Sequence, residues 1–277
     1  MYKRAIKKTK HPNVYSIGEP IKKHFLYRYM PLDAFTLCLD KGNVRFAQPS
    51  LWDDNFEKRF YEGDFSTKLN APTNTHPRLF AFCTTSEKDS EPSWLMYSKG
   101  KPTIEIKINR KKWLNVLSDY SKKIKDLRKQ ILFYEGVVNY NLKAEHIIIL
   151  HRKNYNRGGK SYKVQGHDEL FANFDLDSYL SLLLLKRPAF KHEQEIRYFA
   201  IPKSLEDNTS LSEKSLDVDM PWADVIEAIR VSDSISDDEY SELELLLQEK
   251  SIPLSKLSKF NIYNIPLPLS RKIVIEK

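Results

Sequence analysis

The length, composition and charge of the sequence limit the class of protein. Its 277 residues suffice for one large domain or two small ones, and a hydrophobic content of 41% can form a substantial core. A net charge of +8 favours an anionic partner, such as nucleic acid or a phosphate-bearing cofactor, over a lysine-rich surface that only contacts water. No apolar run has the length of a membrane helix and no apolar signal region follows the first residues. We therefore expect a cytoplasmic protein without membrane association.

The cysteines and histidines do not follow a metal-binding pattern. Cys38 and Cys83 both lie in apolar runs, which predicts buried free thiols, and their separation does not fit a zinc site. His146 and His151 are five residues apart on a predicted strand, so their side chains would face opposite sides of a sheet. We therefore predict that the protein has no metal site.

Residues 1–24 are rich in lysine and lack a clear periodicity, which predicts a basic N-terminal arm. Such an arm either contacts phosphates or forms a loosely ordered terminus. Residues 25–277 show neither an internal repeat nor a long linker, so we predict that they form a single domain.

Apolar patterns in this domain predict short strands mixed with helices. Residues 25–29 form a strand pattern, a helix opens at Pro31 and closes at Gly42, and residues 44–47 form a second strand. Further strands are predicted at 79–83, 104–108, 136–140, 146–150, 196–201 and 225–231. Further helices are predicted at 113–131 and, from a capping box, at 236–249. The simplest architecture is an α+β domain with mixed or antiparallel sheets of short strands flanked by helices.

One stretch, residues 191–200, concentrates charged side chains at the start of a predicted core strand. Strand alternation sends Glu193, Glu195 and Arg197 to one face of the sheet, and Ile196 and Tyr198 to the other. Burying a lone charge is costly, so the three charges require water or a polar cleft. The alternative is an exposed strand edge that carries an ordinary Glu–Arg pair.

A second stretch, residues 152–163, is basic and interleaved with tyrosine. Such a loop can hold nucleic acid through phosphate contacts and base stacking, although a plain surface loop has the same composition. The candidate nucleic-acid-binding residues are Arg152, Lys153, Tyr155, Arg157 and Lys160.

Several short motifs together resemble a bacterial family, the domain of unknown function 2971. The segment 26–29, the helix that ends at Gly42, and the motif with Asp54, Phe56 and Glu57 look like its N-terminal part. Asp53 and Asn55 depart from that motif. Trp94 and Tyr97 match a Met-Trp-x-x-Tyr motif in which Ser93 replaces the methionine, and the segment 193–197 matches its Glu-x-Glu-x-Arg.

The same order of motifs is similar to ADP-ribosyltransferases, particularly the nucleic-acid-modifying toxins of the DarT type. The resemblance implies an ADP-ribosyltransferase-like fold, NAD as a substrate and a nucleic-acid target, RNA or DNA. Glu195 then stabilises the ribose cation, and Glu193 orients or deprotonates the target. Further site residues that contact NAD would be Arg28, Tyr29, Asp54, Ser93, Trp94 and Tyr97.

This resemblance implies a toxin or phage-defence effector, with a possible antitoxin protein as partner. Two other functions remain open at this point. The first is a nucleic-acid-binding or regulatory protein that has no catalytic activity. The second is a metal-dependent nuclease, for which Asp53, Asp54 and Glu57 would supply the carboxylates.

Overall fold

Eleven short strands and six α-helices form the regular structure of the described residues. The computed structural model describes residues 4–54, 57–58, 79–98, 101–126, 129–141, 176–203 and 214–260. The strands are β1 (Ile6–Lys8), β2 (Val14–Ile17), β3 (Phe25–Pro31), β4 (Asn43–Ala47), β5 (Phe80–Thr85), β6 (Thr103–Asn109), β7 (Ile131–Val137), β8 (Glu195–Pro202), β9 (Ser215–Asp219), β10 (Ile226–Ser232) and β11 (Leu257–Phe260). The helices are α1 (Leu32–Lys41), α2 (Glu91–Ser98), α3 (Arg110–Lys123), α4 (Leu176–Leu182), α5 (Trp222–Val225) and α6 (Asp237–Glu249). Single 3₁₀ turns lie at Pro49–Leu51, Pro188–Glu193 and Leu254–Lys256.

The strands form one mixed sheet, which confirms the prediction of an α+β domain with a mixed sheet flanked by helices. The order along the sheet is β1-β2-β7-β8-β5-β3-β6-β10-β11, and β4 joins it through β5 and carries β9. The pairs β2–β7 and β10–β11 are parallel, and the other pairs are antiparallel. Strand β8 lies in the interior of this order, between β7 and β5.

The sheet branches at β5, and this branch determines where the functional site lies. One edge of β5 pairs with β8 along its whole length, from Phe80 to Thr85. The other edge meets β3 at its end (Thr85 with Tyr27) and β4 near its start (Ala81 with Ala47). Strands β3 and β4 therefore diverge from a common edge, and the middle of β5 forms the floor of the opening between them.

Helices cover the sheet on both faces and bury a core on each. One core joins α1, α3 and α6 to the strands, and in it Trp113 packs against Phe46, Phe82 and Tyr198. The other core joins α4 to β2, β7 and β8, and it includes Phe199. Strand β8 is therefore buried on both faces, which corrects the alternative of an exposed strand edge.

Local sequence signals correctly predict where several helices begin or end. Helix α1 ends at Gly42, which adopts the left-handed conformation with φ of 61°, as the sequence predicts. The capping box at Ser236 and Glu239 begins α6, which ends at Glu249. Leu37, an apolar residue of α1, is 47% exposed and does not belong to the buried face of the helix.

Two predicted elements differ from the structure. The predicted helix 113–131 ends at Lys123, and Ile131 instead begins β7, because a local apolar period does not reveal where the chain turns back to join the sheet. Residues 4–24 contain β1 and β2, and Val14 and Ile17 are buried in the two cores. This part of the predicted arm is therefore integrated into the sheet. The predicted strand 146–150 and the basic loop 152–163, with Arg152, Lys153, Tyr155, Arg157 and Lys160, lie outside the described residues.

None of the described helices has the length and apolar character that crossing a bilayer requires. Cys38 and Cys83 are free thiols, as predicted, but each is partly exposed and not fully buried.

Candidate active-site cleft

A cleft of about 520 Å³ lies at the branch of the sheet, which is within the size range of cofactor sites. Its floor is the middle of β5, from Phe82 to Thr84. One wall comes from β3 and α2, and the other from the end of β4 with the turn that follows it. The segment that leads into β8 closes the cleft at one end. The side chains that fill this end are charged: Asp54, Glu57, Lys186, Arg187, Glu193, Glu195 and Arg197.

Glu195 is held in a fixed orientation by Arg197, two residues along β8. Both side chains face the same side of the strand, so the guanidinium reaches back and donates from Nε to Oε1 at 3.0 Å and from Nη2 to Oε2 at 2.8 Å. Arg197 also donates to Glu57 and to the carbonyl of Leu183, and it stacks on the ring of Trp52 at 4.3 Å. With all these partners the arginine is only 1% exposed, so its position is determined by packing as well as charge.

Lys186 joins the three carboxylates of this site. Its ammonium donates to Glu193 and, at 3.3 Å, to Oε2 of Glu195, and it lies 3.7 Å from Glu57. We call these five residues the charged cluster: Glu57, Lys186, Glu193, Glu195 and Arg197. The cluster contains three acids and two bases, and therefore carries one formal negative charge when all are ionised. All five side chains are at most 12% exposed.

The two glutamates of the Glu-x-Glu motif have pKa values that move in opposite directions. Burial raises the pKa of Glu195, but Arg197 and Lys186 outweigh it and hold the pKa well below the usual range. Burial raises the pKa of Glu193, and the negative charge of Glu195 raises it further. Lys186 lowers it, but only partly offsets these two effects. The two carboxyl groups of one short motif therefore differ in the balance of burial and charge around them.

The two glutamates lie on different backbone elements, which the sequence does not predict. Glu193 is the last residue of a 3₁₀ turn, and it does not belong to β8. Gln194 follows in the left-handed conformation, with φ of 42°, and its amide donates to the carbonyl of Lys191 at 2.8 Å. Strand β8 begins at Glu195, whose backbone N–H donates to the hydroxyl of Tyr140 at 2.7 Å. Glu193 reaches the cluster through Lys186, and not through strand alternation as expected.

Arg28 lies on the floor side of the same cleft. Its Nη1 donates to the carbonyl of Cys83 at 2.7 Å, in the part of β5 that lies between its pairings with β3 and β4. The guanidinium lies 5.1 Å from the ring of Phe82 and 5.8 Å from that of Tyr97. Its Nε is buried and has no hydrogen-bond partner among the described residues. A buried donor of this kind requires an acceptor, either from water or from a ligand.

Four of the other predicted cofactor residues line the cleft: Tyr29, Asp54, Ser93 and Tyr97. Tyr97 and Ser93, both on α2, contribute to one wall, and Asp54 lies on the opposite side, where it accepts a hydrogen bond from Arg187 at 3.0 Å. Burial raises the pKa of the Tyr97 hydroxyl, which therefore stays protonated at neutral pH. The structure thus brings Arg28, Tyr97 and Glu195 to one cleft, while their roles stay predictions.

Tyr29 and Trp94 pack into the protein and offer little surface to a ligand. The hydroxyl of Tyr29 donates to Glu105 at 2.5 Å, and the residue is 2% exposed. Trp94 is 4% exposed, since its indole stacks on Phe260 and meets the ring of Tyr29 edge-on. This burial leaves little ring surface for a ligand, although Tyr29 lines the cleft, and contact of the two residues with NAD stays a prediction.

Lys186, Trp52, Tyr140 and Cys83 belong to the site but were not identified as site residues from the sequence. Trp52, Tyr140 and Cys83 have partners far away in the chain, so a local pattern gives no sign of them. Lys186 lies only seven and nine residues from Glu193 and Glu195, and it carries a signal because two cations, Lys186 and Arg187, follow directly after four leucines at the end of a core segment.

The carboxylates that a nuclease would use are engaged by cations. Glu57 accepts from Arg197 at 2.5 Å, and Asp54 pairs with Arg187. Among the described residues, no group of three or more potential ligands has the geometry to hold a metal ion. The pairing with arginines favours a role other than metal binding for Asp54 and Glu57.

Comparisons with known proteins give one structural similarity. No family model matches the chain, and no curated protein matches it, so the resemblance to the domain of unknown function 2971 stays a prediction. The structure is similar to that of DarT from Thermus sp. 2.9 in complex with ADP-ribosylated single-stranded DNA. The identity is 12%, the match covers 83% of this chain and 90% of that chain, and the TM-score is 0.33. A similarity of this size carries no argument about function, which must come from the site itself.

Proposed function

We propose that this protein is an NAD-dependent mono-ADP-ribosyltransferase that modifies nucleic acid. The observation that carries the proposal is the arrangement of the cleft, where a fixed glutamate anion and a partly unsatisfied arginine face the same space. These two residues, Glu195 and Arg28, come from distant parts of the chain, and the motif order of the transferases predicts that they meet. The volume of the cleft, about 520 Å³, suits a ligand of the size of a cofactor.

Glu195 supplies the negative charge that this reaction requires. As the bond between the ribose and nicotinamide breaks, positive charge develops on the sugar, as it does in glycoside hydrolysis. A preorganised anion stabilises that charge without reorganisation during the reaction. The bidentate contact with Arg197 fixes the carboxylate, and the lowered pKa keeps it ionised. The 3.3 Å contact from Lys186 is the longest of these, so we infer that a ribose hydroxyl displaces this ammonium.

Glu193 is the candidate general base. In the proposed reaction a nucleophilic atom of the nucleic acid bonds to C1′ of the ribose while neutral nicotinamide leaves. The proton of that atom then passes to a carboxylate, and the raised pKa of Glu193 suits this role. Lys186 contacts both Glu193 and Glu195, and it therefore links the base to the charge-stabilising residue.

Arg28 is the candidate ligand for the pyrophosphate of NAD. One of its nitrogens is committed to the carbonyl of Cys83, which anchors the guanidinium at the floor of the cleft. The buried Nε has no partner in the described part of the chain, so it can donate to a phosphate oxygen. Tyr97, in contact with the same guanidinium, lines the wall where nicotinamide or adenine would pack.

The target class rests on charge and on the motif resemblance. The chain carries a net charge of +8, which suits a polyanionic target. The basic loop with Arg152, Lys153, Tyr155, Arg157 and Lys160 remains a proposed contact for that target. A role as a toxin or phage-defence effector, with an antitoxin protein as partner, belongs to the same proposal.

The test compares two buried glutamates that are each held by an arginine. Purified Glu195→Gln and Glu135→Gln proteins would be assayed for NAD consumption and for labelling of cellular RNA and DNA, detected by mass spectrometry. Glu135 is 1% exposed and pairs with Arg110, but it does not line the cleft, so it controls for the loss of a buried ion pair. Breaking such a pair costs about 3–5 kcal/mol of stability, so both variants should melt earlier than the parent.

We expect Glu195→Gln to lower the rate by a factor of about a hundred to a thousand, and Glu135→Gln to leave it near that of the parent below the melting temperature. Equal activity in the two variants would overturn the proposal. A parent protein that binds nucleic acid but neither consumes NAD nor labels it would instead favour the binding protein without catalysis.

A further inference from the structure

A second cavity of about 860 Å³ lies along the N-terminal strands, and we call it the basic groove. Its charged lining consists of four cations (Arg4, Lys7, Lys22 and Lys23) and two acids, Glu19 and Glu87. Glu19 pairs with Lys7 at 2.9 Å, and its pKa is lowered by Lys7 and, to a smaller degree, by Lys22. The side chains of Lys22 and Lys23 are exposed, so they can reach an anion in the groove.

The basic groove and the cleft lie on opposite sides of one backbone segment. Glu193 and Glu195 line the cleft, whereas Gln194 and Ile196 line the groove. Gln194, which lies between the two glutamates, is in the left-handed conformation. Its carbonyl accepts from the backbone N–H of Ser86 at 3.0 Å, which fixes this segment against the end of β5. The segment 193–195 is therefore a narrow rim shared by the two cavities.

We propose that the basic groove binds the phosphate backbone of a single-stranded nucleic acid whose next nucleotide crosses this rim into the cleft. The inference rests on the proposed function, and it specifies where the target binds and in what form. Exposed lysines along a groove are suited to a backbone that carries one charge per nucleotide. A base inside a duplex cannot reach a cleft of this kind, so the target is single-stranded or has that base unstacked.

This surface is distinct from the loop 152–163 that the sequence suggests. The groove is formed by the segment that was predicted to be an arm, and β1 and β2 anchor that segment to the sheet. Its cations therefore have fixed positions relative to Glu193 and Glu195. Such a rigid arrangement can set which nucleotide of a bound strand reaches the catalytic end of the cleft.

The experiment removes three groove lysines together and matches them with three lysines elsewhere. The groove variant is Lys7→Gln, Lys22→Gln and Lys23→Gln in the full chain. The control variant changes three exposed lysines at the end of α3 and in the segment after it: Lys122→Gln, Lys123→Gln and Lys125→Gln. Both variants lose the same net charge. Binding of a fluorescein-labelled single strand of about 16 nucleotides, as DNA and as RNA, would be measured by anisotropy over a salt series.

We expect the groove variant to bind more weakly and to lose about 0.7 units of the slope of log K against log salt for each phosphate contact removed. The control variant should keep the slope of the parent. Consumption of NAD in the absence of nucleic acid should be equal in all three proteins, because none of the six lysines lines the cleft.

A groove variant with the affinity and slope of the parent would overturn the inference, as would an equal loss in the control. These outcomes differ from failure of the proposed function. If even the parent protein consumes no NAD, the transferase proposal fails, whereas the binding comparison still reports on the groove.

Discussion

Glu193 and Glu195 lie two residues apart, yet their environments shift their pKa values in opposite directions. Glu195 has two cations in direct contact, and Glu193 has one cation together with a neighbouring anion. Lys186 contributes to both pKa shifts, so replacing it tests how the two carboxyl groups depend on this one cation.

We predict that Lys186→Met shifts the acidic limb of the pH–rate profile to higher pH. Removal of this cation leaves Glu193 facing Glu195 and Glu57, so its pKa should rise further. If Glu193 acts as a base in its ionised form, the rate then falls at a higher pH than in the parent. The measurement is kcat/KM for NAD consumption with nucleic acid present, from about pH 5 to pH 9.

Lys186→Arg is the matched variant because it preserves the charge. Its acidic limb should stay near that of the parent, even if the rate falls through altered geometry. An acidic limb that does not move in Lys186→Met, in a protein that melts normally, would show that Glu193 is not the base.

At the scale of elements, Gly42 and Gly136 are each required to be glycine for a different physical reason. Gly42 ends α1 with φ of 61°, and a Cβ added there would meet no atom within 4 Å. Gly136, on β7, has ordinary backbone angles, but an added Cβ would clash with Cδ1 of Leu184. The neighbouring residue, Leu183, accepts a hydrogen bond from Arg197 through its carbonyl.

We predict that Gly42→Ala destabilises the protein by about 1 kcal/mol, because alanine is strained in the left-handed region. Gly42→Asn should cost less, because asparagine tolerates this conformation better than alanine does. Chemical denaturation gives the free energies, and equal costs for Gly42→Ala and Gly42→Asn would contradict the backbone explanation.

We predict that Gly136→Ala costs about 1–3 kcal/mol of stability through overpacking, and that it also reduces activity by moving Leu184. The same denaturation measurement gives its free energy.

The elements that the sequence predicts well are those with local causes. The alternation that puts Glu195 and Arg197 on one face needs only two residues of a strand, and the capping box at Ser236 needs only four residues of a helix. The side chain of Glu193 lines the same cleft as Glu195 and Arg197, as predicted, but its backbone belongs to a 3₁₀ turn and not to β8. Nothing in the sequence marks Gln194 as left-handed. Glu57 was known from a motif, but its contact with Arg197 depends on how distant segments fold together.

At the scale of the whole molecule, the N-terminal segment is the clearest case of tertiary structure overriding composition. A lysine-rich stretch resembles a free arm in sequence, yet its few apolar residues are enough to pair β2 with β7. Tyr15 then stacks on Tyr134 with ring centroids 5.2 Å apart, and this contact covers part of the second core.

We predict that deletion of residues 1–24 lowers the melting temperature and promotes self-association. The deletion would leave β7 as an edge strand with an uncovered apolar face, which is a template for pairing with other chains. Thermal melts and light scattering at several concentrations would measure both effects. A truncated protein that melts with the parent and stays monodisperse would favour a free arm instead.

The thiol of Cys83, on the floor of the cleft, can be used to detect whether a ligand is bound there. Cys83 lines the cleft, and burial raises the pKa of its thiol, so alkylating reagents should react with it slowly. Cys38 lies on α1 outside the cleft, its pKa is also raised by burial, and it serves as an internal reference in the same chain. Any compound that occupies the cleft should slow alkylation of Cys83 while leaving that of Cys38 unchanged, as read by peptide mass spectrometry. The ratio of the two rates would then identify inhibitors without an activity assay, and equal protection of both thiols would point to a general stabilisation of the fold.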